Sequence, residues 1–226
     1  MNQNRVFSDE EIKTMQTPLA DRIAAAIDAG EYESAKTLAR QLETEDFSII
    51  CTFEDFVASL LSHIYETDGD QALQDALQHA ADFLMKSIFE HVANLPFRDR
   101  VEAFAAMFRA HSRNGLKIEE DDEKVTLTLD PCGSGERMVE AGYFEASRLQ
   151  TVQGPLPLTF GRDQFPCYCS HCAVFHHLKP IEWSGRPFPP IEVGPGPGPC
   201  KWHLYKDPDA IPDRYYEHVG KKKALP

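Results

Sequence analysis

The chain has 226 residues, 42% of them hydrophobic and 26% charged, which is typical of a folded protein with one large or two small domains. Its formal net charge of −13 disfavours a nucleic-acid partner, because a surface that binds a polyanion needs an excess of basic side chains. No run approaches about 20 apolar residues and no apolar leader is recognisable, so we predict a cytoplasmic protein without a membrane partner.

The first half of the chain, residues 8–113, has the apolar spacing of helices. Ser8 and Glu11 form a capping box that predicts the start of the first helix, and Gly30 predicts its end. A second helix is expected over Tyr32–Leu42, and Thr52 is expected to cap a third. A fifth helix ends at Asn114-Gly115. Apolar residues expected to face the core of these helices include Phe53, Phe56, Val57, Leu60, Leu61, Ile64, Phe83 and Phe108.

The pattern changes after Gly115, and 14 of the 16 prolines follow residue 130. Alternating residues predict strands at Leu116–Glu119 and Val125–Leu129, and a last strand is expected over Lys201–Lys206. Between them we expect a short helix over Glu136–Ala141 and an extended connector at 193–199. The sequence therefore predicts an α+β fold, with a helical region (1–114) packed as one unit with a cysteine- and proline-rich metal-binding region (115–226) that holds a small antiparallel sheet.

Five of the six cysteines cluster in the second half of the chain, and in a reducing compartment such clusters favour metal sites or reactive thiols over disulfides. Cys169 and Cys172 have the spacing that wraps a turn around one ion. On a strand, Cys200 would share a face with Trp202 while His203 points to the other face. We therefore predict a four-thiolate site, with Cys167, His171 and His203 as reserve ligands. The predicted ligands are Cys132, Cys169, Cys172 and Cys200.

Zinc is the first choice for such a site, and iron or an iron–sulfur cluster is the alternative. A redox or nucleophilic thiol, and inert buried cysteines, are the other interpretations of the pattern. Histidines near the cluster could move protons, and we predict that His171 and His177 are catalytic. The turn Gly133-Ser134-Gly135 follows a strand and is predicted to bind an anionic group of a substrate.

Several short segments together resemble a superfamily of small α/β domains. These segments are Cys132, Val139-Glu140-Ala141-Gly142, Tyr168-Cys169-Ser170-His171-Cys172 and Gly198-Pro199-Cys200-Lys201-Trp202-His203-Leu204. The superfamily includes the four-vinyl-reductase-type ligand-binding domain and the thiazoline-carboxylate hydrolase family. The resemblance covers roughly residues 115–206 and implies a small-molecule pocket beside a cysteine or metal site.

The leading hypothesis is a metal-dependent enzyme that hydrolyses or otherwise cleaves a small organic acid or heterocycle, with the metal polarising the substrate or activating water. The alternative is a non-enzymatic module that binds or senses a small ligand and carries a structural zinc. The expected partner in both cases is a small molecule, and a homo-oligomer is left open.

Overall fold

The protein is described here from a computed structural model, which covers residues 6–112, 115–145, 148–194 and 199–224. It is an α+β protein in which long helices precede a small antiparallel sheet, as predicted. The chain forms two compact units, Met1–Thr52 and Phe53–Pro226. The change of composition near residue 115 lies inside the second unit.

The first unit is helical. It contains α1 (Asp9–Gln16), α2 (Leu19–Asp28) and the beginning of α3 (Tyr32–Ala80). The predicted capping box is confirmed, since the Ser8 hydroxyl accepts the Glu11 N–H and the Glu11 carboxylate accepts the Ser8 N–H. Its small core consists of Ala26, Ala35 and Leu38, with Leu19 and Ile23 packed against them.

Helix α3 is longer than predicted. The helix starts expected at Tyr32 and Thr52 belong to one helix, in which the Thr52 hydroxyl donates to the Ser48 carbonyl oxygen. The prediction of a cap at Thr52 was therefore wrong, because threonine can bond back to the preceding turn as readily as it caps a new one. Gly69, at φ +81°, interrupts α3 instead. A π-helical turn (Ala81–Met85), α4 (Lys86–Ala93) and α5 (Phe97–Ser112) follow.

The buried face of α3 in the second unit also differs from the prediction. Ala58 and Leu61 are buried, whereas Phe53 and Phe56 are 65% and 58% exposed and Phe83 on the π turn is 85% exposed. Apolar residues run around more than one face of this helix, so their spacing alone does not reveal which face the rest of the unit covers. Of the predicted phenylalanines of the core, Phe108 is buried and these three are not.

The second unit contains two antiparallel sheets. The predicted strands are present within one residue of their expected ends, and the first sheet has the order β1-β2-β6-β5. The strands are β1 (Leu116–Glu120), β2 (Lys124–Leu129), β3 (Thr151–Gln153), β4 (Gln164–Pro166), β5 (Ile191–Val193) and β6 (Cys200–Tyr205). The short helices are α6 (Gly135–Glu140), α7 (Ser170–Ala173), α8 (Lys179–Ser184) and α9 (Arg214–Glu217).

One core joins α5 to the larger sheet. Leu127 and Leu129 of β2 are fully buried, and the ring centroids of Phe108 on α5 and Trp202 on β6 lie 4.7 Å apart. This packing fixes the C-terminal end of α5 beside the ends of β2 and β6. The predicted helix end at Asn114 and most of the predicted connector, residues 195–198, lie outside the described residues.

Among the described residues, one helical stretch, Tyr32–Ala93, is long and apolar enough to cross a membrane by length and composition. Of its most apolar segment, 17% is buried. Helices of soluble proteins and signal sequences meet the same criteria. The cytoplasmic location and the absence of a membrane partner therefore stay predictions.

Candidate functional site

A cavity of about 660 Å³ opens between the larger sheet, the turn that precedes α6 and the segment around β4. This volume is in the range of sites that bind small molecules. Its walls are mostly apolar and include Val139, Phe144, Phe165, Ile191 and Trp202.

All four cysteines predicted as metal ligands line this one cavity. Cys132 lies between β2 and α6, Cys169 ends a 3-10 turn, Cys172 belongs to α7 and Cys200 begins β6. The register of the sheet brings two of them together, because Leu129, three residues before Cys132, pairs with Cys200. Cys167 is buried away from the cavity lining, and burial raises the pKa of its thiol to about 12.

Three of the cavity thiols are held in their neutral form. Burial raises the pKa of Cys169, of Cys172 and of Cys200 above the ordinary value, and the negative charge of the Cys132 thiolate raises each pKa further. For Cys200 the pKa rises to about 12. At neutral pH these groups therefore keep their protons unless a cation is bound among them.

Cys132 is the exception. Its Sγ lies 3.6 Å from Nε2 of His111, the penultimate residue of α5, and 3.6 Å from the Ser134 hydroxyl. Burial raises the pKa of the Cys132 thiol, but the hydrogen bond and charge of His111 and the hydrogen bonds from Ser134 outweigh burial and lower it to about 7. Among the cavity thiols, Cys132 is thus the one that is a thiolate, and hence a nucleophile, near neutral pH.

His111 is in turn oriented by a carboxylate. Its Nδ1 lies 3.2 Å from Oε1 of Glu54, a buried residue of α3. Burial lowers the pKa of His111, but hydrogen bonds and charge from Cys132 and Glu54 raise it to about 10. The arrangement is a thiolate, an imidazolium and a carboxylate in series, which matches the pattern of a nucleophile, a base and an orienting acid.

Arg137 and Glu136 complete the surroundings of this triad. Nη2 of Arg137 lies 3.3 Å from Glu54 and 2.6 Å from Asp55, and Nε donates to the Gly133 carbonyl oxygen. The Glu136 carboxylate accepts the Cys132 N–H at 2.7 Å. The carboxylate of the triad and the turn that carries the nucleophile are therefore tied to the same guanidinium.

The predicted glycine turn is used partly for structure and partly for the cavity. A Cβ on Gly133 would overlap the backbone carbonyl of His111, and its N–H lies 3.3 Å from the Ser112 hydroxyl, so this glycine lets the turn lie directly on the end of α5. Gly133 is absent from the cavity lining, whereas Ser134 and Gly135 belong to it. Of the three residues predicted to bind substrate, Ser134 and Gly135 are therefore placed where they could contact one, and Gly133 is not.

The two predicted catalytic histidines lie in different surroundings. His171 lines the cavity, donates from Nδ1 to the Tyr168 carbonyl oxygen and places Nε2 3.4 Å from the Cys172 sulfur. Burial lowers the pKa of His171, so the ring is neutral and its Nε2 accepts a hydrogen bond from the Cys172 thiol. It belongs to the site, although its partner thiol is neutral.

His177, by contrast, is fully buried and is not part of the cavity lining. Its Nε2 accepts the N–H of Ile191 at 2.8 Å, which requires the proton to be on Nδ1, and Nδ1 lies 2.9 Å from the carbonyl oxygen of Tyr215. Both ring nitrogens are bonded to the backbone and the ring is buried outside the cavity, so this placement favours a structural role, and the catalytic role of His177 stays a prediction. His203 lies on the sheet face opposite Cys200 and Trp202, with Thr126 as partner.

Sequence reasoning missed His111 and Glu54. They are separated by 57 positions and form no local motif, so spacing could not connect them. A signal for one of them was present, since Glu54-Asp55 interrupts an otherwise apolar stretch of α3. A carboxylate at such a position is either solvated or buried with a partner, and here it is buried.

The chain matches no protein-family profile, no curated protein sequence and no solved structure. The resemblance to the thiazoline-carboxylate hydrolase and four-vinyl-reductase-type domains therefore stays a prediction.

Within the described ranges, no three or more histidine, cysteine, aspartate or glutamate side chains are gathered in a way that could hold a metal ion. The zinc site, and its iron alternatives, stay predictions, with Cys132, Cys169, Cys172 and Cys200 as the residues that would supply the thiolates.

Proposed function

We propose that this protein is an enzyme that cleaves a bond in a small organic acid or heterocycle, with Cys132 as its nucleophile. The observation that supports this most directly is the series Cys132–His111–Glu54 at the wall of a cavity of small-molecule size. Cys132 reaches the cavity, and Nε2 of His111 lies 3.6 Å from its sulfur.

The chemistry is a two-step hydrolysis. Sγ of Cys132 attacks a carbonyl or imine carbon of the substrate, the bond from that carbon to its leaving atom breaks, and the leaving atom takes the proton from Nε2 of His111. Water then attacks the carbon bound to sulfur, His111 removes a proton from that water, and the C–S bond breaks to restore the thiolate. Glu54 holds the imidazole ring in place and stabilises its positive charge through both steps.

The nucleophile is tested by alkylation. Wild-type protein is treated with iodoacetamide between pH 5 and 10, and the rate at each cysteine is measured by peptide mass spectrometry. We expect Cys132 to react with a midpoint near pH 7, well before Cys169, Cys172 and Cys200. His111→Gln should raise the midpoint to the ordinary thiol value of 9.0 or above, because burial then acts unopposed by the imidazolium, and the rate at pH 7 should fall by about 50-fold or more from the lost thiolate fraction.

His91→Gln is the matched control, because His91 is an exposed histidine of α4. A Cys132 that reacts no faster than Cys51 at pH 7, or a His111→Gln rate equal to wild type, would contradict the proposal. Turnover is tested separately with a panel of small esters, lactams and thiazolines, for which Cys132→Ser should abolish product release. If no substrate turns over although ligands bind, the non-enzymatic binding or sensing module is the better interpretation.

A metal-centred enzyme is the second candidate, because the four predicted thiol ligands share one cavity. The two candidates differ in what a chelator does. With Cys132 as a free nucleophile, a chelator leaves its alkylation rate unchanged. With bound zinc or iron, metal analysis finds the ion in the purified protein, and its removal accelerates alkylation of Cys169, Cys172 and Cys200 together.

A further inference from the structure

Arg162, two residues before β4, is the one lysine or arginine among the described residues that line the cavity. The contacts of its guanidinium are with neutral groups. Nη2 donates to the carbonyl oxygen of Val193 at 3.1 Å, and the guanidinium carbon lies 5.7 Å from the ring centroid of Phe165. These contacts hold the guanidinium at the sheet edge without neutralising it.

No carboxylate in the described part of the chain forms an ion pair with this guanidinium. The two acidic residues of the lining have other surroundings, since Glu136 accepts the Cys132 N–H and Asp163 is exposed. Burial lowers the pKa of Arg162, and no carboxylate is among the groups that oppose that effect. A half-buried charge without a counter-ion is unfavourable, and an anionic ligand would relieve it.

Trp202 also lines this cavity, but its indole N–H is not open to it. The indole Nε1 of Trp202 is buried and forms no hydrogen bond with any described residue. In the register of the sheet Trp202 pairs with Ile191, and Cys200 pairs with Val193, whose carbonyl oxygen holds Arg162. Strand β5, which holds Arg162 through Val193, therefore pairs with the strand that places Trp202 in the cavity wall.

We propose that Arg162 determines the specificity of the cavity by binding a carboxylate of a small molecule with an apolar body. The apolar walls around Phe144, Phe165 and Ile191 fit the body of such a molecule. That the bound acid is a substrate rests on the proposed function, but the binding itself does not require Cys132.

Binding is tested with benzoate, phenylacetate and hexanoate and with the amides of the same three acids, by ligand-observed NMR. The amides have nearly the same shape without the charge. In the wild type we expect at least one acid to bind about 10-fold or more tightly than its amide. Arg162→Gln should remove this preference, Arg162→Lys should keep part of it, and Arg186→Gln, a surface arginine paired with Asp209, should leave it unchanged.

Three results would overturn the inference: none of the acids binds, acids and amides bind equally, or folded Arg162→Gln keeps the preference. The alkylation rate of Cys132 is measured in parallel on the same protein. Acid binding that depends on Arg162, in a protein whose Cys132 is unreactive, would refute the proposed function and leave this inference standing.

Discussion

At the scale of single residues, the cavity shows that burial alone does not decide whether a thiol is protonated. Cys132 and Cys169 are both half-buried in the cavity wall, and burial raises the pKa of each. Only Cys132 has an imidazolium beside it, at 3.6 Å, and that charge reverses the direction of the shift. The reactive thiol is therefore identified by its partner.

The carboxylate behind His111 should control this effect. In Glu54→Gln the imidazolium loses its counter-charge, so the pKa of His111 falls and the pKa of Cys132 rises. We expect the alkylation midpoint of Cys132 to move upward from about 7, measured by the same pH series with iodoacetamide. Asp55→Asn is the control, because Asp55 contacts Arg137 and Tyr143 but not His111. Equal midpoints in the two variants would remove Glu54 from the triad.

His177 should behave as a structural residue. In His177→Ala the N–H of Ile191 and the carbonyl of Tyr215 lose buried partners, and a void remains. We expect the free energy of unfolding in urea to fall by about 3 kcal/mol, while Cys132 of the folded variant alkylates at the wild-type rate. His63→Ala, at an exposed position of α3, should change neither quantity. A slower Cys132 in folded His177→Ala would support a catalytic role.

At the scale of elements, the site exists because a turn lies against a helix end. The turn between β2 and α6 packs against the last residues of α5 at Gly133. This contact places Cys132 beside His111. Residues on α3 then reach the same point through Glu54. Three elements that are distant in sequence thus each supply one member of the series.

Substitution of Gly133 should separate these elements. The added methyl of Gly133→Ala meets the backbone of His111, which cannot move aside as a side chain can. We expect a loss of about 3 kcal/mol in the free energy of unfolding, at the upper end for overpacking, and a slower alkylation of Cys132 at pH 7. Gly185→Ala meets no atom within 4 Å and bears only the strain of φ +78°, about 1 kcal/mol. Equal losses in the two variants would show that the contact at Gly133 is not tight.

At the scale of the whole molecule, neutral buried histidines make the fold sensitive to acid. Burial lowers the pKa of His176 to about 3 and that of His177 well below the ordinary value of 6.5. The unfolded chain therefore binds these protons first as the pH falls, so the stability that they contribute is present above 6.5 and is lost below it.

Between pH 6.5 and 5, where most carboxylates are still ionised, these two groups should lower the free energy of unfolding by about 3 kcal/mol. Urea unfolding at half-unit pH steps measures this slope. Replacing His176 by Gln should reduce the slope of stability against pH by about one proton. His79→Gln, at an exposed position of α3, should not change this slope. A stability independent of pH over this range would contradict the neutral state of the buried rings.

The sequence by itself determined the fold class, the capping box at Ser8, the strands of the larger sheet and the gathering of cysteines in one segment, because helix caps, alternating residues and short cysteine spacings are local patterns. It also placed His203 on the face opposite Cys200, which follows from strand alternation alone.

Only the tertiary structure decided which face of α3 is buried, that His177 is buried outside the cavity, and that Cys132 has His111 and Glu54 as partners. These facts depend on contacts between residues tens of positions apart, and no spacing within a segment encodes them. The physical reason is that the charge state of a buried group is set by what packs beside it, and packing is a property of the folded chain.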